Sequence, residues 1–200
     1  WVVDKDNNPT VNTKEFKEAL GYYINMISTG KALVKDEFIS AVENGEALLG
    51  VGWPGWCRNS METSVDYVEF PGKKAENSVK YNSNIYGIWT MGVTNNCTTK
   101  ELAVELLNYL CEAEVQKSTM PHGGVPCRYS CLTDEKMLKE NPKLSIICGA
   151  LENGVYRPTM SEWPQFYTIL GDRMRDIITG EVSIEDGLEL AQRELENIMK

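Results

Sequence analysis

Apolar residues recur every three or four positions over residues 12–30: Phe16, Leu20, Tyr23, Ile24 and Ile27 in "NTKEFKEALGYYINMISTG". That spacing predicts an amphipathic helix, capped by Asn12 with Glu15 three residues on and stopped by Gly30. A shorter helix follows in "KDEFISAVENG", with Phe38, Ile39 and Val42 turned inward and Gly45 at its end. The period then changes. "EALLGVG" is a short, glycine-bounded apolar run and reads as a buried strand. "SVDYVEFPGKK" reads as a strand closed by Pro71-Gly72, "AENSVKYNSN" as a polar excursion, and "IYGIWTMGVT" (85–94) as a third strand.

Helical spacing returns after residue 97. Thr98 is placed to cap a long helix with Glu101 at the capping-box position, and Leu102, Leu106, Tyr109, Leu110 and Ala113 form its stripe. The Gly- and Pro-rich "PHGGVPCRYSCL" ends it. Two helices flank Asn141-Pro142, the second closed by Gly154, with Asn141 as cap and Pro142 in the first turn. A long helix starts near Ser161 and carries Phe166, Ile169, Leu170, Met174, Ile177 and Ile178 to Gly180; Ser183 caps the last, built on Ile184, Leu188, Ala191, Leu195 and Ile198. About six helices against three or four short strands, with no repeat, favour a helix-rich α/β arrangement over a bundle. So few strands make a small sheet for so many helices, and the expectation is that further strands belong to a part of the molecule outside this chain.

Composition narrows the function classes. The 200 residues are 42% hydrophobic, enough for one or two domains with a real core. With 29 acidic against 20 basic residues the net charge is -9, and no basic cluster exceeds Lys73-Lys74, which argues against nucleic acid as a partner. No apolar run approaches the roughly 18 residues of a membrane span, so a soluble chain is expected. No signal peptide is legible at Trp1.

Chemical motifs are sparse. G-x-S-x-G, H-E-x-x-H, Walker A and G-x-G-x-x-G are all missing, and one histidine, His122, would have to serve any His-based triad. Of six cysteines, Cys111 and Cys148 lie in apolar runs and read as small hydrophobes. Cys127 and Cys131 flank "RYS", where a disulfide stays open; no C-x-x-C pair supports zinc, and neither metal nor cofactor is expected. The carboxylate pairs Glu43/Glu46 and Glu185/Asp186 fall at helix ends, where capping and dipole roles account for them.

Aromatic residues are the informative set. Trp53 and Trp56 bracket Pro54-Gly55 in a turn that glycines leave open, and indoles offer flat apolar faces on which pyranose C–H groups stack. Tyr86 and Trp89 are odd-spaced on a strand and face opposite sides, so at least one belongs to the core. Trp163 and Tyr167 share a helix face at i and i+4, beside Phe166, which reads as core. Arg58 and Arg157 could donate to sugar hydroxyls, although exposed ion pairs would explain them equally.

The order of these motifs resembles the C-terminal half of the extracellular solute-binding proteins (family 1) of ABC transporters, the carbohydrate-binding group that includes maltose-binding proteins. Four stretches carry the likeness in family order: "FISAVENGEALLGVGWPGW", "YGIWTMGVTNNCTTKELAVELLNYL", "GGVPCRYSCLTDE" and "YRPTMSEWPQFYTILGDRMRDIITGEVSIEDGLELAQRELENIMK". Each is loose alone; their joint order over nearly the whole chain is specific.

The resemblance implies a type II, two-lobed periplasmic-binding-protein-like fold whose lobes close on a sugar and then dock on a membrane permease. It assigns residues 1–84 to the second lobe, 85–153 to the first lobe after a hinge crossing, and 154–200 to the return. Trp53 or Trp56, Tyr86, Trp89, and Trp163 or Tyr167 inherit the ligand-binding role, with "GWPGW" leaving two candidates where the family commonly has one. An extracellular or periplasmic location follows, with a lipid anchor and a first-lobe sheet encoded before Trp1. Exposed apolar surface over 85–153 and a non-native dimer are expected. Two other classes stay open: a glycoside hydrolase, which would need an acid/base pair across a cleft, and a non-catalytic helical interaction module.

Overall fold

The computed structural model of the chain describes residues 1–56, 65–70, 72–74, 80–81 and 84–200. Contacts divide it into two compact units, Trp1–Ala32 with Tyr156–Lys200, and Leu33–Val155.

The first unit joins the two ends of the chain. Val3 and Pro9 form an antiparallel bridge around a tight turn in which Asp4 Oδ1 accepts the N–H groups of Asp6 (2.8 Å) and Asn8 (2.9 Å). Asn7 takes φ 63°, a left-handed conformation that asparagine tolerates. The Asn8 side-chain amide, first among these donors in effect, holds the Asp4 carboxyl below its ordinary range.

Helix α1 (Lys14–Thr29) is capped by Thr13, whose Oγ1 accepts from Phe16 N at 3.3 Å. The cap therefore lies one residue later than the Asn12 expected. Thr13 has the extended backbone a cap requires, whereas the Asn12 N–H is engaged by Gln192. The long helices α8 (Trp163–Ile178) and α9 (Ile184–Ile198) follow the expected stripes: Phe166 and Leu170 pack on Ala191 and Leu195 with Val3 and Val11, while Ile177, Leu188 and Leu20 form a second cluster. Full burial of residues such as Phe166, Leu188 and Leu195 contributes roughly 1.5–3 kcal/mol each. Ser183 caps α9 as expected, accepting from Asp186 N at 3.1 Å, and Gly180 at φ 80° ends α8.

Two polar devices fix the packing. Arg173 Nε and Nη2 reach both carboxylate oxygens of Glu194 on α9 at 2.9 and 3.2 Å. Gln192 Oε1 accepts from Val11 N (3.0 Å) and Asn12 N (3.3 Å), while its Nε2 donates to Pro9 O (2.7 Å). One side chain thus supplies the backbone partners of a loop 180 residues away in sequence.

The second unit is built differently. Helix α2 (Lys35–Glu43) precedes two minimal ribbons: β1 (Lys73–Lys74) pairs antiparallel with β2 (Lys80–Tyr81), and β3 (Asn84–Ile85) pairs parallel with β4 (Gly154–Val155). Helix α3 (Lys100–Leu110) leads to α4 (Ala113–Thr119), a 3-10 turn at Met120–His122, α5 (Tyr129–Leu132), α6 (Glu135–Glu140) and α7 (Lys143–Glu152). Met120, Leu132, Leu144 and Ile147 form its core with Met137 and Leu138 against them. Lys117 Nζ meets Asp134 Oδ2 at 2.8 Å, and Asp134 Oδ1 caps α6 through Lys136 N and Met137 N, both at 3.0 Å.

Several expectations fail in this unit, and those about strands fail for one reason: most of the extended apolar segments there have no ladder partner among the described residues. "EALLGVG" is not a buried strand; Leu48 is 99% exposed, and Leu49 and Val51 are exposed as well. Residues 65–70 carry no strand, and the expected strand 85–94 is reduced to Asn84–Ile85, with Ile88, Trp89 and Met91 exposed. The stripe of α3 buries nothing, its Thr98 cap is replaced by Thr99 without a side-chain bond, and Cys111 is exposed. At Asn141-Pro142 the cap position falls on Pro142, Asn141 instead ending α6. Pro71 and residues 75–79 and 82–83 lie outside the described residues.

Replacing Gln192 with Ala strands the Val11 N–H and Pro9 carbonyl and is expected to lower unfolding free energy by about 2 kcal/mol, read from the urea midpoint. The Asp134 carboxyl is held below its ordinary range, chiefly by the hydrogen bond from Lys117, and the Lys117 ammonium is raised, chiefly by Asp134. Asp134 therefore contributes stability above about pH 3.9 and loses it as pH falls through its depressed value; Lys117 contributes below about pH 10.4 and loses it above. Asp134→Asn, which keeps a capping oxygen, should flatten the acid limb of a pH titration of the urea midpoint.

Candidate functional site

The tryptophan turn is assembled on glycines. Trp56 N donates to Trp53 O at 3.0 Å, closing a turn with Pro54 and Gly55 at its corner. Beside it lies the Phe38 ring of α2: a β-carbon on Gly50 would overlap it, one on Gly52 would collide with the Trp56 ring and crowd Phe38, and Trp56 meets Phe38 edge-on, with centroids 5.3 Å apart at 68°. Trp56 is thereby a half-buried packing residue. Trp53 points elsewhere. The outer edge of its six-membered ring occupies the space a β-carbon on Gly87 would take, yet the residue remains 54% exposed.

Tyr86, next to that glycine, is committed to packing. Its N–H donates to Val155 O (3.0 Å), its hydroxyl donates to the Leu151 carbonyl, and its ring lies where a side chain on Gly154 would stand. Trp89 is 100% exposed and belongs to no packing cluster of the described residues. The expectation that at least one of the two would be core is not met among the described residues: Tyr86 is half-buried and stands in no core cluster, and Trp89 is open to solvent.

In the first unit, Trp163 stacks on buried Phe166 (5.5 Å, 20°) and leans on Tyr167 (6.2 Å, 50°). Trp163 is consequently half-buried, and Tyr167 presents the open face at 64% exposure. Ser161 Oγ donates to Glu162 Oε1 at 2.7 Å and lowers that carboxyl, keeping an anion beside the start of α8. Arg157 is exposed, and Arg58 lies outside the described residues.

A family model described as "Bacterial extracellular solute-binding protein" matches residues 1–146. The chain belongs to this family. A probable amino-acid ABC transporter periplasmic-binding protein of Sinorhizobium fredii is 21% identical over 165 residues, covering 82% of this chain and 38% of that protein. Among solved structures, maltose-bound MalE3 of T. maritima aligns with a TM-score of 0.81 at 19% identity, covering 99% of this chain and 54% of that one. An ABC transporter solute-binding protein of Agrobacterium radiobacter in complex with ribitol aligns at 0.74 and 21%, covering 98% and 53%. The fold is that of type II periplasmic binding proteins, helix-rich with few strands, as the sequence pattern and resemblance led one to expect. The chain spans about half the length of these structures.

Elsewhere, the described cysteines 97, 111, 127, 131 and 148 are free, and Cys57 lies outside the described residues. Cys127 Sγ accepts from Gln116 Nε2 at 3.1 Å while buried Cys131 turns to the Ala113 carbonyl at 3.6 Å, so the two sulfurs face different partners. Glu185 and Asp186 occupy the first turn of α9, where Asp186 completes the Ser183 cap.

Sequence reasoning missed Phe38, Gly87 and Gly154 as the seats of the aromatic set. The available signal was a glycine beside an aromatic in "YGIW" and a second glycine in "ENGVY", but which ring meets which glycine is a tertiary fact. Trp56→Ala, which opens a hole beside Phe38, is expected to cost about 2 kcal/mol of stability; Trp53→Ala should cost less than half of that, as measured by urea unfolding of both variants.

Proposed function

We propose that the chain forms part of a non-catalytic receptor that binds a sugar or polyol by ring stacking and delivers it to the permease of an ABC importer. One observation carries this reading: the Trp53 indole is held by the Pro54-Gly55 turn and by Gly87 with about half its surface open, a flat apolar platform of the kind pyranose C–H patches cover. Tyr167, open on the helix that starts at Trp163, is a separate candidate ligand ring within the first unit. Trp56 packs on Phe38, Tyr86 on Gly154, and Trp163 against Tyr167, while Trp89 belongs to no packing cluster of the described residues. The maltose and ribitol held by the two structural neighbours support this ligand class.

The lobe assignment of 1–84 with 154–200 and of 85–153 is proposed from the resemblance. Its return crossing lies two residues from the unit boundary at 155/156, while residues 33–84 fall with 85–155 in the compact units. An extracellular or periplasmic location with a lipid anchor belongs to the same proposal. So does self-association of the 200-residue chain through Ile88, Trp89, Met91 and the open stripe of α3. The Sinorhizobium relative favours a second reading, an amino-acid ligand at Trp53.

Calorimetric titration of the chain with maltotriose, ribitol and a mixture of amino acids tests the ligand class. Heat with a sugar or polyol, weakened tenfold or more by Trp53→Ala, is expected; heat with amino acids alone moves the assignment to the second reading. Sedimentation velocity with a hydrophobic-dye assay is expected to show dimer and dye uptake, and a clean monomer that binds no dye contradicts the self-association.

A further inference from the structure

The contact between Trp53 and Gly87 leads beyond the platform itself. Tryptophan has two side-chain torsions, so an indole on an open turn can sweep through several orientations unless something fixes it. Here the fixing surface is backbone, because the edge atoms Cη2 and Cζ3 rest where any side chain on residue 87 would begin. Backbone is a stiffer stop than a neighbouring side chain, and it moves only with the segment that contains it.

That segment is held at the next residue. Tyr86 is tied to Val155 by its N–H, to Leu151 by its hydroxyl and to Gly154 by its ring. Val155 is the last residue of the second unit, and the chain enters the first unit at Tyr156. The order Trp53, Gly87, Tyr86, Val155 is therefore a continuous mechanical path from the open indole to the strand that leaves the unit.

We propose that Gly87 is a positioning residue for Trp53, and that Tyr86 couples the orientation of the Trp53 ring to the exit strand β4. The proposal rests on the reading of Trp53 as the ligand platform. It assigns two residues to roles outside ligand contact: a backbone stop at 87 and a tether at 86. Displacement of β4 turns the indole, and a ligand stacked on the indole resists displacement of β4.

The test labels the full chain with 5-fluorotryptophan and follows the Trp53 resonance by 19F NMR, assigned by its loss in Trp53→Phe. Gly87→Ala is expected to shift the Trp53 resonance while leaving that of Trp163 in place, and Gly154→Ala, which dislodges the Tyr86 ring, to shift it as well. Any loss in Tm from Gly87→Ala should be recovered when Trp53→Ala removes the clashing ring. In maltotriose titrations, Gly87→Ala and Trp53→Ala should each weaken binding about tenfold, and the double variant should bind no more weakly than Trp53→Ala alone. An unmoved Trp53 resonance in Gly87→Ala, or no recovery of lost Tm in the double variant, overturns the positioning role. An unmoved resonance in Gly154→Ala overturns the tether. Wild-type affinity in Trp53→Ala, or no maltotriose binding by the parent chain, counts instead against the platform reading, and the resonance shifts still decide the positioning role.

Discussion

An aromatic ring and a β-carbon cannot share the same space, and in residues 33–155 that exclusion decides where the chain runs. Phe38 lies under Gly50 and Gly52, Trp53 against Gly87, and Tyr86 over Gly154. Each contact brings a ring flush with backbone that an alanine would hold off. With only two-residue ribbons among the described strands, these ring-on-glycine seats, and not a continuous hydrogen-bonded sheet, set the places of the extended segments. The open face of Trp53 results from them, because a ring anchored by its edge leaves the rest of its surface to solvent.

The other unit depends on ordinary helix packing. Its stripes are long, its caps are local, and its buried residues touch one another across α8, α9 and the N-terminal hairpin. Gln192 closes the arrangement by satisfying loop N–H and C=O groups that would otherwise face an apolar interior unpaired. Polar side chains thus complete a structure whose driving force is the burial of Phe166, Leu188 and Leu195.

This contrast explains what could be read from the sequence. Helix spacing is a property of neighbouring residues, so α1, α8 and α9 were legible with their inward faces, as was Ser183 as a cap; Asn12 missed its place by one residue because Gln192, distant in sequence, engages its backbone. Strands depend on partners. "EALLGVG" and "IYGIWTMGVT" have the composition of buried strands, but composition cannot supply the neighbouring strand that would bury them, and Leu48 and Trp89 stay in solvent. At the site, the residue types were legible and their division of labour was not. Trp53 and Trp56 look equivalent in "GWPGW", and only Phe38 and Gly87 distinguish the ring that packs from the ring that stays open. Likewise Trp163 and Tyr167 share a helix face, and the stacking of Trp163 on Phe166 leaves the outer position to Tyr167.

The central claim is that an edge-anchored Trp53 is a ligand platform whereas the fully exposed Trp89 is not. Oxidative footprinting of the chain with and without saturating maltotriose, read residue by residue by mass spectrometry, tests this most directly. The account predicts protection of Trp53 with unchanged labelling of Trp89. Protection of Trp89 with Trp53 left as reactive as before would contradict it.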